Sequence, residues 1–279
     1  MQIRFCGVRG STPAPGIDFV RYGGHTSCLA LSHNGAPAPT LLLDAGAGLQ
    51  CASPLMGGAP FAGTILLTHL HWDHILGLPF FHAADHNDAR VSVVLPEQPS
   101  GKCAAAVLAQ VMSPPYFPIE PTELRGSWAF DTIAPGEQQI EGFGVLTREI
   151  PHKGGRTFGY RISDGHSTIT YMPDHCPTTF GPGEQGFGEY HPAAVELAQG
   201  ADLLVHDAQL FPDELGEVNF GHAVADYSVG LAKHAGARSV ALFHHRPDRT
   251  DDALDGLAQR LGGGSPAVSV AAEGTLLEL

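Results

Sequence analysis

Apolar residues in the first half of the chain come in short runs cut by glycine and proline, at 3–8, 28–32, 40–44 and 64–68, lengths that suit strands better than helices. Residues 75–84 and 102–112 are longer and richer in helix formers, and read as helices. Four further strands are expected at 91–95, 145–150, 157–162 and 167–171, the last two joined as a hairpin by Ser163-Asp164-Gly165. The last third alternates: helix 193–199, strand 203–205, helix 223–235, strand 240–243, helix 251–261, then terminal strands. Val224, Tyr227 and Leu231 fall on one helical face, and Gly236 follows where a left-handed C-terminal cap belongs. Thr250 precedes Asp251 and Asp252 as an N-cap with two carboxylates at the positive end of the helix dipole, while Leu254, Leu257 and Leu261 share a face. The proline- and glycine-rich pieces 35–39, 114–118 and 180–188 read as loops or lids.

This order of elements is that of an α/β chain, and 279 residues with 43% hydrophobic and 16% charged content are expected to form one compact domain spanning 1–279. The 29 acidic against 15 basic residues give a net charge of -14, which repels phosphate backbones and argues against an extended nucleic-acid partner. A small anionic substrate stays compatible with that charge where bound cations attract it locally. No apolar stretch has the length of a membrane span and MQIRFCGVRG carries no leader pattern, so a soluble, cytoplasmic protein is expected, with no membrane partner. Cys6, Cys28, Cys51, Cys103 and Cys176 are widely spread and never in a C-x-x-C pair, which points to reduced thiols and away from a thiolate zinc site. The 16 histidines carry the chemistry instead.

Thr68-His69-Leu70-His71-Trp72-Asp73-His74 follows the apolar strand Ile65-Leu66-Leu67. Alternation along an extended segment puts His69 and His71 on one side, and the turn into the next helix carries Asp73 and His74 to a second point nearby. Two metal positions are thus prepared within six residues, with donors that match two divalent ions: zinc foremost, manganese or iron also suited. H-x-H-x-D-H resembles the signature of the metallo-β-lactamase superfamily. That resemblance implies an α/β (α+β) fold, the αββα metallo-β-lactamase sandwich, with metals at one edge between the sheets. It further implies His152 in Ile150-Pro151-His152 as third histidine of the first metal, Asp174 as the carboxylate bridging both, and His244, rather than His245, as the last ligand of the second. The first position then holds His69, His71 and His152, and the second Asp73, His74 and His244. Asp44 resembles the family's strand-end aspartate that braces the metal loop.

Cys6–Pro13, Arg21–Cys28 and the 114–118 stretch are similar to the branch containing ribonuclease Z and small phosphodiesterases, although this chain has His25 where the branch usually has asparagine. His206-Asp207-Ala208-Gln209 and Gly221-His222-Ala223, the latter expected at the start of a helix, are similar to two phosphodiesterase motifs whose carboxylate and histidine move a proton. Asp73, Asp207 and His222 are therefore the expected catalytic residues, with His222 protonating the leaving group. Only a strand pair separates His152 from Asp174, which leaves no room for the tRNA-binding arm of ribonuclease Z. The resemblance then favours a small or cyclic phosphodiester, and it also carries an expectation of a homodimer. Phe80, Phe81, Tyr116 and Phe117 offer an apolar wall able to stack a base. Ester, thioester or lactone hydrolysis on the same metal pair, or a non-catalytic metal-binding accessory role, are the alternatives.

Overall fold

Strand-forming runs and helical stripes arrange themselves into four layers. The computed structural model describes residues 1–216 and 221–279. In chain order the elements are β1 (Gln2–Gly7), β2 (Cys28–Ser32), β3 (Leu41–Leu43), α1 (Leu49–Ala52), β4 (Ala62–Leu66), α2 (Trp72–Ile75), β5 (Arg90–Pro96), α3 (Ala104–Leu108), β6 (Ser127–Ile133), β7 (Gly136–Ile140), β8 (Phe143–Glu149), β9 (Phe158–Ser163) and β10 (Thr168–Met172). They continue with α4 (Pro192–Ala198), β11 (Leu203–Asp207), α5 (Ala225–His234), β12 (Ser239–Phe243), α6 (Asp251–Leu261), β13 (Ala267–Val270) and β14 (Leu276–Glu278).

The strands form two seven-stranded sheets, ordered β14-β1-β2-β3-β4-β5-β6 and β13-β12-β11-β10-β9-β8-β7. Each is antiparallel in one half and parallel in the other: β3 to β6 run parallel in the first, and β10 to β13 in the second. Period-two alternation decides which residue meets which layer. Ile3, Phe5, Leu29, Leu31, Leu41, Leu43 and Leu66 face Phe158, Tyr160, Tyr171, Val205 and Phe243 across the gap between the sheets. Their strand neighbours Cys28, Ala30, Leu42, Ile65 and Leu67 pack on the other side against the layer of α1 and α3. Leu204, Val240 and Leu242 do the same against α4, α5 and α6. Runs buried on both faces are uniformly apolar, and the result is the expected αββα sandwich. Among the described residues, no helix is long and apolar enough to cross a membrane.

Several expected elements take a different form. Residues 75–84 are not one helix: α2 ends at Ile75, and short 3-10 turns follow at Leu78–Phe80 and His82–Ala84. Gly77 and Pro79 interrupt the ladder, because Pro79 has no N–H to donate to it. The helix expected over 102–112 is confined to α3. Helix 223–235 begins later, at Ala225 with Val224 as N-cap, so His222 lies in the loop ahead of α5 rather than on it. β6 and β7 escape the apolar pattern because they are largely exposed, β7 reading Gly-Glu-Gln-Gln-Ile. The Thr250 cap forms as expected, its side chain accepting from the Ala253 N–H, and Gly236 adopts φ +69°.

The topology prepares one edge. β3, β4 and β5 run parallel, as do β10, β11 and β12, while β8 lies two antiparallel steps from β10 and so points the same way. Asp207 ends β11, and the segments that follow the other carboxyl ends carry Asp44, His69, His71, His152, Asp174 and His244.

Candidate metal centre

At this edge the predicted ligands come together in two groups, and a third, Asp174 with His222 and His244, overlaps them. His69, His71, His152 and Asp174 each place a donor atom within 4.8 Å of the others, and so do Asp73, His74 and His244. His71 is extended, with φ -65° and ψ 152°, which lets His69 and His71 face the same way before α2 turns Asp73 and His74 toward the second group. Asp174 spans the two. Its Oδ1 lies 3.9 Å from His69 Nε2 and 3.5 Å from His152 Nε2, while Oδ2 lies 3.0 Å from His74 Nε2 and 3.3 Å from His244 Nε2. His244 Nε2 is also 3.2 Å from Asp73 Oδ2. His245 turns away to the Ala271 carbonyl at 2.8 Å, and burial pushes its pKa down to about 3, so of this pair it is His244 that enters the cluster.

The donors fit divalent cations. His152 Nδ1 sits 2.7 Å from the Gly221 carbonyl and His74 Nδ1 2.8 Å from Asp44 Oδ2. Both partners only accept, so each Nδ1 carries the proton and Nε2 is offered to the cluster, an arrangement typical of metal-ligating imidazoles. His69 Nε2 is buried without a hydrogen-bond partner, although it points into a group of four donors. Burial lowers the pKa of His69, His71 and His152, which keeps their lone pairs available. Burial works the same way on His74, yet the carboxylates of Asp174, Asp73 and Asp44 hold its pKa well above the usual value. Asp73 and Asp174 move well below the usual carboxylate range: burial opposes their charge, and the surrounding histidines outweigh it. The cluster thus demands positive charge at its centre, which a divalent ion meets.

Supporting contacts come from segments distant in sequence. Asp44 accepts from the Thr68 N–H at 2.7 Å and the Tyr171 hydroxyl at 2.9 Å besides His74, and so fixes the loop that presents the histidines. The Ser11 N–H donates to Asp73 Oδ2 at 2.6 Å, and Gln209 reaches His244 Nδ1 and Ser11 Oγ, each at 3.2 Å. Ser11, Asp44 and His244 all hold left-handed backbone, with φ 63°, 58° and 60°, a concentration of strain at one edge of the fold. Gly10 has no room for a side chain, since a Cβ there would lie 2.3 Å from the His244 ring. The roles of Ser11, Gln209 and the Gly221 carbonyl leave no sequence signal, because two act through backbone and the third through a contact made only on folding.

His222 Nδ1 is 2.9 Å from Asp207 Oδ2 and 3.8 Å from Asp174 Oδ1, so the expected pair forms beside the cluster. Burial works against a charged His222, but the Asp207 charge and hydrogen bond, with Asp174 and Asp73 behind them, raise its pKa to about 9. Asp207 is itself fixed by the N–H groups of His175 and Gln209, both at 3.0 Å. His206 and His175 stand behind it, joined at 2.9 Å, with His206 anchored on Ser228 at 2.8 Å. His25 bonds Glu273 at 3.0 Å and takes no part in the donor groups. A cavity of about 540 Å³ opens over His71, Asp73, Asp174 and His222. Of the four expected wall aromatics, Phe80, Tyr116 and Phe117 line a neighbouring cavity, but Phe81 is buried against Phe61, with ring centroids 5.1 Å apart, and lines neither.

A sandwich of two mixed sheets with buried histidine and aspartate donors at their carboxyl edge defines a metal-site hydrolase scaffold. The family described as Beta-lactamase superfamily domain matches residues 40–245, and the chain belongs to it: a metallo-β-lactamase superfamily hydrolase with a His/Asp metal site. Ribonuclease Z of Lacticaseibacillus casei (strain BL23) is 28% identical over 291 aligned positions, covering 88% of this chain and 84% of the relative. The crystal structure of the metallo-beta-lactamase fold protein YhfI from Bacillus subtilis matches 100% of this chain and 98% of its own, with a TM-score of 0.70 and 19% identity. A diphosphatase from the PhnP family matches 100% of this chain and 97% of its own, at TM-score 0.67 and 18% identity.

Proposed function

We propose that this protein is a dinuclear-metal-dependent hydrolase of small phosphodiesters. The observation that carries the proposal is the His222–Asp207 pair, at 2.9 Å, beside the buried histidine and aspartate donors, of which His71, Asp73 and Asp174 line the same cavity as His222. His69, His71 and His152 would hold one ion, Asp73, His74 and His244 the other, and Asp174 both; imidazole and carboxylate donors make zinc the best match. When bound, such a pair supplies Lewis acidity toward phosphoryl oxygens and a water acidified toward neutrality. The chain's own residues do the rest. Asp207 accepts the Nδ1 proton of His222, fixes its ring and stabilises its charged form, so proton exchange with a leaving-group oxygen runs through Nε2. Asp73, held by the Ser11 N–H, keeps one carboxylate oxygen at the cavity.

Ester or lactone hydrolysis can run by carbonyl polarisation on the metal pair without the His222–Asp207 pair, whereas a poor alkoxide leaving group on phosphorus depends on a proton donor, so the pair favours the phosphodiester. A small substrate is favoured over tRNA, although ribonuclease Z relatives align along most of the chain. The net charge of -14 opposes a long polyanion, and β9 and β10, joined at Asp164-Gly165, fill the interval between His152 and Asp174. The test is turnover by protein of measured metal content on bis(p-nitrophenyl) phosphate, a 2′,3′-cyclic nucleotide, a 3′,5′-cyclic nucleotide and a simple lactone. Metal-dependent phosphodiester cleavage is expected. Lactone cleavage alone replaces the assignment by carbonyl chemistry, and silence from fully metallated protein removes it.

A further inference from the structure

Beside the metal centre lies a second cavity of about 630 Å³, with a lining that contains no charged side chain. Trp72, Phe80, Tyr116 and Phe117 supply its aromatic surface, and Ile75 and Val111 are among its aliphatic lining. Trp72 borders both cavities and stands in sequence between His71 and Asp73, so the backbone that sets two donors also sets the indole. The aromatic groups are not packed away: Trp72 is 73% exposed, Phe80 55% and Tyr116 79%. Phe80 and Phe117 meet edge to face at 6.0 Å, which holds Phe80 in place despite its exposure. Exposed aromatic surface of this extent, concentrated at one concave place, marks a binding site rather than ordinary surface.

The geometry points to this cavity as a subsite for an aromatic ring carried by the substrate, laid across Trp72 while the phosphoryl group sits at Asp73 and His222. The assignment rests on the phosphodiesterase proposal for the substrate's reacting end. It adds that the other end is planar, uncharged and aromatic, whether a nucleobase or a plain aryl group. Stacking on indole, phenol and benzyl faces suits any π-system and needs few directional bonds. Gln110, the Tyr116 hydroxyl and the Trp72 indole N–H are the hydrogen-bonding side-chain groups of the lining, few enough that selection among rings is weak while selection of a ring over an aliphatic chain or a bare sugar is strong.

The two tryptophans, Trp72 and Trp128, give a direct readout. In a Trp128→Phe variant Trp72 is the sole tryptophan, and with tryptophan-selective excitation ligand binding is followed by its fluorescence without any turnover. On protein of quantified metal content, adenosine 5′-monophosphate and phenyl phosphate are expected to quench saturably, each with a Kd at least tenfold below that of ribose 5-phosphate. The order of the first two separates nucleobase from plain aryl. Tyr116→Ala, at a mostly exposed position, is expected to cut the ring preference severalfold. Equal affinity for all three phosphates, or a preference untouched by Tyr116→Ala, overturns the subsite. Emission that depends on protein concentration, with a doubled mass by light scattering and no response to ligand, overturns it in favour of a second copy of this chain covering the patch. A preserved ring preference without phosphodiester turnover removes the phosphodiesterase proposal and leaves the subsite standing.

Discussion

His222 does its proposed work only because Asp207 occupies Nδ1, and that division of labour predicts a selective defect. His222→Ala is expected to retain two metals per chain and to lose about 10²-fold or more on alkoxide leaving groups, with far smaller losses on p-nitrophenolate, which departs without a proton. Equal losses on both, from parallel rate measurements, would contradict the proton-donor role. Gly10 predicts the opposite kind of failure. A Cβ there would lie 2.3 Å from the His244 ring, so Gly10→Ala should displace that ligand and lower metal stoichiometry, read by elemental analysis, before any kinetic effect is considered. At this scale the H-x-H-x-D-H run was legible because its six residues carry their own geometry. Ser11 and Gln209 were not, since a donated N–H and an amide contact across 198 residues belong to no local pattern.

Elements were readable wherever a residue's neighbours along the chain also decide its burial. α6 is the clearest case: Thr250, the two aspartates after it and the leucine stripe all agree, and the helix spans the expected 251–261. Thr250→Ala should therefore cost about 1 kcal/mol of stability, seen as a lower urea midpoint at unchanged slope. No change would mean that the Ala253 N–H finds water as good a partner. The stretch 75–84 misled because helix-forming composition outvoted Gly77 and Pro79, which break the ladder locally. β6 and β7 misled for a different reason: as exposed edge strands they lack the apolar code, and only their neighbours β5 and β8 turn them into strands.

On the scale of the whole molecule, the metal centre links two sheets. Donors after β4 belong to the first, those after β8, β10 and β12 to the second, so bound metal should act as a clasp across the sandwich. Removing metal with a chelator is expected to lower Tm, and returning it at about a hundredfold excess over Kd should restore about 2.7 kcal/mol per site by mass action. An unchanged Tm in a differential scan, with metal loss verified, would show that the cluster closes without ions. What the sequence determined by itself was the class of fold and the principal donor set, since strand period, helix caps and the histidine run are all local features. The family resemblance had already singled out His244 over His245 and Asp174 as the shared carboxylate; tertiary structure alone decided that Ser11 and Gln209 brace Asp73 and His244, and that Trp72 borders two cavities. Those facts depend on how strand ends from two sheets register against one another, and no stretch of neighbouring residues encodes that register.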